Sequence, residues 1–150
     1  DLIAAKNRIL LGGELEIPLM PGAREFMLYL QLHNIPFGIA SNAPPEFVKA
    51  VTAYWKLPAK VILGRGDAPR NKPHPDIFMK CARDLSLGMY KQKNTLIFED
   101  SLHGLCAAKR SNMVPIGITS QHTSAELQKS GAEFSIPDLK YFMENIEIIK

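Results

Sequence analysis

Two adjacent carboxylates at the end of an apolar run are the groups in this chain best suited to chemistry. The segment Thr95-Leu-Ile-Phe-Glu99-Asp100-Ser101-Leu-His-Gly104 carries Leu96, Ile97 and Phe98 without helical spacing, which marks a short buried strand. Leu102, Leu105, Cys106 and Lys109 then follow at helical spacing. Glu99, Asp100 and Ser101 therefore fall at the carboxyl end of a strand, where open α/β sheets bind ligands. Two neighbouring carboxylates repel each other, and hard oxygen ligands of this kind suit Mg²⁺. A plainer reading makes Asp100 or Ser101 a helix cap and Glu99 a solvated charge.

Two further turns could complete a site. Ile35-Pro-Phe-Gly-Ile-Ala40 is another apolar strand candidate that ends at Ser41-Asn42. Pro44 and Pro45 follow, and then Phe47, Val48, Val51, Tyr54 and Trp55 share one helical face. A hydroxyl and backbone N–H groups at such a helix start make an anion site, although Ser and Asn are also common caps. In Asn71-Lys72-Pro73-His74-Pro75-Asp76, two prolines stiffen the approach to a helix whose apolar face is Ile77, Phe78, Cys81, Ala82 and Leu85. Lys72 can meet a phosphate there as a point charge, or be an exposed loop lysine.

The order of these pieces carries more than any one of them. A strand ending in Ser, a loop Lys before a helix, and a strand ending in Glu-Asp-Ser with a downstream Gly resemble the haloacid dehalogenase-like hydrolases. The likeness is to their branch of β-phosphoglucomutase-like enzymes and sugar-phosphate phosphatases. Ser41 matches the second motif of that family, Lys72 the third and Glu99-Asp100 the fourth. The most specific part is Phe98 to Lys109, and the resemblance extends from about Pro18 to Asp138.

By that resemblance, the fold is a Rossmann-like α/β core with a parallel sheet and helices on both faces. The activity it implies is Mg²⁺-dependent transfer of a phosphoryl group from a small phosphomonoester to an aspartate, followed by hydrolysis. Ser41 and Lys72 would be catalytic. Ser41, Asn42 and Lys72 would bind the phosphoryl group, and Asp100 with Glu99 would hold the metal, Glu99 directly or through water. Phosphomutase chemistry uses the same groups.

The family's first motif, a strand ending in Asp-x-Asp that supplies the nucleophile, has no counterpart here. Asp1 follows no strand, and Asp67, Asp76, Asp84 and Asp138 lack both the paired spacing and the strand context. The expectation is a C-terminal portion of a longer enzyme, with 1–17 as the end of a cap region and connector and 18–150 as core. The strand carrying the first motif would lie between those ending at Ser41 and Glu99, and would be supplied by a missing N-terminal segment or a swapped chain. Direct pairing of strands 36–40 and 95–98 would defeat that expectation. It would favour a self-standing phosphate-binding or regulatory module without a nucleophile. A receiver-like signalling domain also combines acids, Ser/Thr and Lys, but with the acids first along the chain.

Composition narrows the partners. The 150 residues are 46% hydrophobic and 22% charged with a net charge of +3, ordinary values for a globular domain. No Lys/Arg cluster forms a nucleic-acid footprint, and no apolar run is long enough to cross a membrane. Lys91, Lys93 and Lys109-Arg110 read as solvated faces. Cys81 and Cys106 both fall on apolar helix faces and read as buried free thiols of a reducing compartment, the cytoplasm.

The remaining elements alternate. Residues 1–11 read as a helix end, and Ala23, Phe26, Met27 and Leu30 as a helix ending near His33-Asn34. Strands are expected at 60–64, 114–118 and 133–136, and helices at 102–111, 123–130 and 138–148. Asn112 takes a helix terminus where the left-handed conformation is needed. His103 is a candidate substrate contact, His122 a surface-loop residue, and the methionines core filler.

Overall fold

The computed structural model describes residues 18–145 together with Ala4. The helix expected over 1–11 lies outside these residues, as do the last residues of the helix expected at 138–148. Seven helices and five strands alternate among the described residues: α1 Ala23–Leu32, β1 Gly38–Ala40, α2 Pro45–Tyr54, β2 Val61–Leu63, α3 Asp76–Asp84, α4 Met89–Gln92, β3 Leu96–Glu99, α5 Leu102–Arg110, β4 Val114–Ile118, α6 Ser124–Lys129, β5 Phe134–Ile136 and α7 Leu139–Asn145. Every strand pairing is parallel. β1 pairs β2, with Ala40 opposite Leu63. β4 lies between β3 and β5, with Phe98 opposite Ile116 and Ile118 opposite Ile136.

Alternation along β3 sends neighbouring side chains into different cores. Ile97 packs with Leu63, Ile77, Phe78, Cys81, Ala107 and Ala108 beneath α3 and α5. Phe98 faces the opposite side, where α1 and α7 cover Ile116, Ile118 and Ile136. There Phe26, Phe98 and Phe142 meet edge to face, with centroids 4.9–5.4 Å apart. The result is helices on both faces of a parallel sheet, as the α/β reading requires.

Several sequence expectations need correction. β1 is three residues long, not six, because Pro36 brings no N–H to a ladder and the Ile35 N–H closes the end of α1 on the Leu30 carbonyl at 2.9 Å. Cys81 is buried, but Cys106 is half-buried, on the shoulder of α5. Met79 is 45% exposed, and so is not core filler. Asn112 does adopt φ 62°, as the helix terminus demands.

β1 and β3 are not hydrogen-bonded to each other among the described residues. The Ser41 N–H donates to the Leu63 carbonyl, so Ile39 and Ser41 face β2 while Gly38 and Ala40 face the other way. The Thr95 carbonyl accepts from the Val114 N–H, so Leu96 and Phe98 likewise face away from β4. The sheet is thus two parallel halves, each presenting an open ladder edge toward the other.

Candidate active site

β1 and β2 run parallel, and Lys72 binds at the ends of both β1 and β3, so β1, β2 and β3 bring their carboxyl ends to one edge. Ser41 and Asn42 follow β1 directly. Ser41 Oγ accepts from the Ala43 N–H at 3.1 Å, which turns the chain toward α2. Asn42 Oδ1 accepts from the Lys72 backbone N–H at 3.3 Å, so the first loop touches the second across thirty positions of sequence.

Lys72 is the centre of the site. Its ammonium donates to the Ala40 carbonyl at 3.0 Å and pairs with Glu99 Oε1. The Phe78 ring lies 4.6 Å from Nζ and shields the pair. Both side chains are more than nine-tenths buried. A buried charge persists only when paired and hydrogen-bonded, and each of these has such partners. The Ala40 carbonyl belongs to the open edge of β1, so one lysine joins the carboxyl ends of the two half-sheets. An ammonium has three N–H donors, and these contacts use two.

The loop carrying Lys72 is braced at several points. Arg70 and Asp76 form a two-pronged ion pair at 2.8 and 2.9 Å that closes residues 70–76. That contact holds the Asp76 carboxyl below its ordinary range. Arg110, at the end of α5, donates to the Pro73 carbonyl at 3.0 Å, so it is more than part of a solvated face.

Glu99 is committed on both oxygens. Oε1 takes Lys72, and Oε2 accepts from the Ser101 hydroxyl at 2.9 Å and the Ser101 N–H at 3.4 Å. Ser101 Oγ in turn accepts from the Gly104 N–H at 3.0 Å, so Ser101, not Asp100, caps α5. A Cβ on Gly104 would occupy the space of the Glu99 carboxylate. Glycine at this position lets the acid lie against the helix.

Asp100 is half-buried, and its one hydrogen bond among the described residues is from Ser120 Oγ at 3.5 Å, the outer limit of such contacts. Its oxygens are available to a hard cation. No group of three or more His, Cys, Asp or Glu side chains converges among the described residues. Asp100 alone therefore fits as a single protein ligand. Mg²⁺ commonly binds through one or two carboxylates together with phosphate and water. His103 is exposed and makes no hydrogen bond to the Lys72–Glu99 pair among the described residues, and His122 pairs loosely with Glu126 at 3.9 Å.

Asn42, Lys72 and Glu99 thus form one hydrogen-bonded network at the carboxyl edge, with Ser41 and Asp100 next in sequence to Asn42 and Glu99. Residues 2–112 match the family profile described as "Hydrolase: haloacid dehalogenase-like hydrolase". The chain belongs to the haloacid dehalogenase-like hydrolase family. Among its relatives is a bifunctional riboflavin kinase/FMN phosphatase of Arabidopsis thaliana, 30% identical over 121 residues that cover 79% of this chain and 31% of that protein. A (DL)-glycerol-3-phosphatase 2 of the same organism is 34% identical over 102 residues, covering 63% of this chain and 42% of the relative. Among solved structures, a hydrolase from Pseudomonas syringae superposes with a TM-score of 0.77 at 25% identity, covering 87% of this chain and 61% of that one. The chain spans about a third to a half of the length of the curated relatives it matches.

Proposed function

We propose that this chain forms the phosphoryl-binding part of a Mg²⁺-dependent phosphatase acting on a small phosphomonoester. The carrying observation is the Lys72 ammonium, buried at the carboxyl edge beside Ser41 and Asn42 with one donor unused among the described residues. Related proteins named as phosphatases support the class of reaction.

In this reading the Ser41 hydroxyl and the backbone around Asn42 hydrogen-bond the phosphoryl oxygens. Lys72 neutralises their charge, and Glu99 holds the ammonium in place. Asp100 contributes an oxygen to Mg²⁺, which when bound would offset the negative charge gathering on the transferred group. Glu99 contributes mainly through Lys72, since both its oxygens are engaged. The nucleophilic aspartate is assigned to a strand outside these 150 residues, seated between β1 and β3 as an N-terminal segment of the same protein or as a swapped copy. The cytoplasm, suggested by the free thiols, is the location that goes with this reading.

The test is turnover of a panel of phosphomonoesters with Mg²⁺. The full-length protein is expected to be active, and residues 1–150 alone to be inactive because the covalent nucleophile is missing. Lys72→Ala in the full-length protein should lower kcat by about 10²–10³, the loss typical of one preorganised charge-stabilising donor. Robust turnover by residues 1–150, abolished by replacing one of their own carboxylates, would overturn the assignment.

A further inference from the structure

The loop carrying Ser41 is fastened from outside by a residue with no obvious chemical signature. Arg65, two positions beyond the end of β2, donates through Nε to the Asn42 carbonyl at 2.8 Å. Its backbone N–H also donates to the Ala43 carbonyl at 2.8 Å. Gly64, immediately before it, lies so close to this loop that a Cβ there would run into the Pro45 backbone and the Ala43 carbonyl. The end of β2 is therefore packed directly against the backbone of residues 42–45.

A trans peptide is planar, with its C=O and N–H pointing in opposite directions. Drawing the Asn42 carbonyl toward Arg65 turns the Ala43 N–H the other way, and that N–H is the one donated to Ser41 Oγ at 3.1 Å. With a backbone donor on its oxygen, the Ser41 hydroxyl keeps its own hydrogen to give. The Arg65 bond is charge-assisted, and so among the stronger hydrogen bonds at an exposed position.

We propose that Arg65 is a positioning residue for Ser41. It fixes the plane of the Asn42–Ala43 peptide and so keeps the Ser41 hydroxyl oriented as a donor to an anionic oxygen. The consequence for turnover rests on the phosphatase reading, whereas the geometry does not.

The test compares full-length wild type with Arg65→Ala, Arg65→Lys, Ser41→Ala and the Arg65→Ala/Ser41→Ala double variant. Turnover of an aryl phosphate with Mg²⁺ and hydrogen exchange at the Ala43 amide are both measured. Arg65→Ala is expected to lower kcat/KM about tenfold, to add nothing in the Ser41→Ala background, and to be largely rescued by Arg65→Lys. Exchange at Ala43 should accelerate about tenfold while the global unfolding transition is retained. An equal loss in the Ser41→Ala background would overturn the proposal, because Arg65 would then act without Ser41. Unchanged exchange at Ala43 would overturn it as well. A wild type without turnover would sink the phosphatase reading alone, leaving Ala43 exchange to decide the role of Arg65.

Discussion

At the scale of single residues, the Lys72–Glu99 pair sets the largest energies. Removing one member of a buried pair leaves the other charge without compensation, at a cost of about 3–5 kcal/mol. Lys72→Ala should therefore lower stability by about that amount in denaturant titrations, whereas Lys72→Met combined with Glu99→Gln should cost much less. A similar loss for the double variant would mean that the pair is not the source. The thiols give a second, independent expectation. Burial pushes the Cys81 thiol up to about 11, so it stays protonated at neutral pH, while Cys106 is better exposed. Cys106 should react with a thiol reagent well before Cys81 in the native protein. Ser41, Glu99 and Asp100 stand out in the sequence because each sits where an apolar run gives way to a turn, and Lys72 because it enters a helix through two prolines. Arg65 was not, because its partner is a backbone carbonyl twenty-three positions away and no pattern of residue types marks such a contact.

At the scale of elements, α5 shows how local rules yield to packing. Alanine normally stabilises a helix interior relative to glycine by roughly 0.5–1 kcal/mol. At Gly104 the sign should reverse, because a methyl group would displace the Glu99 carboxylate; overpacking of this kind costs about 1–3 kcal/mol. Thermal unfolding of Gly104→Ala checks this, and an unchanged or higher Tm would refute the fit. Helix α6 is fixed by a capping box, in which Thr123 Oγ1 accepts from the Glu126 N–H and the Glu126 carboxylate accepts from the Thr123 N–H. These bonds hold the Glu126 carboxyl below its ordinary 4.5. Such a group adds stability above its unfolded pKa and loses it as pH falls through the lower folded value. Glu126→Gln should consequently flatten the acid limb of the stability curve below about pH 4.5. Most element identities were readable from helical spacing and from short apolar runs without it. Their ends were less so, and α4 lies in a stretch too short and polar to announce itself.

At the scale of the whole molecule, the split sheet is the dominant fact. Two ladder edges, carrying Gly38 and Ala40 on one side and Leu96 and Phe98 on the other, have no strand partner among the described residues, although Lys72 Nζ meets the Ala40 carbonyl. Buried unpaired backbone groups cost about 1–3 kcal/mol each, against a typical domain stability of about 5–15 kcal/mol. An intervening parallel strand in the full-length protein should therefore leave the Ala40 and Phe98 amides exchanging as slowly as those of β4. Fast exchange at both would count against a strand in that position. The family resemblance suggested this division, but only the side-chain contacts show that Lys72 crosses it.

The shared direction of all five strands also has a practical side. Their amino ends gather at the edge away from the site, where Lys60, Lys93 and Glu133 stand exposed just ahead of β2, β3 and β5. Reporter groups attached there stay clear of the edge that carries Lys72 and Glu99. A dye pair on Lys60 and Glu133 straddles the two half-sheets, so its energy transfer would read their separation directly.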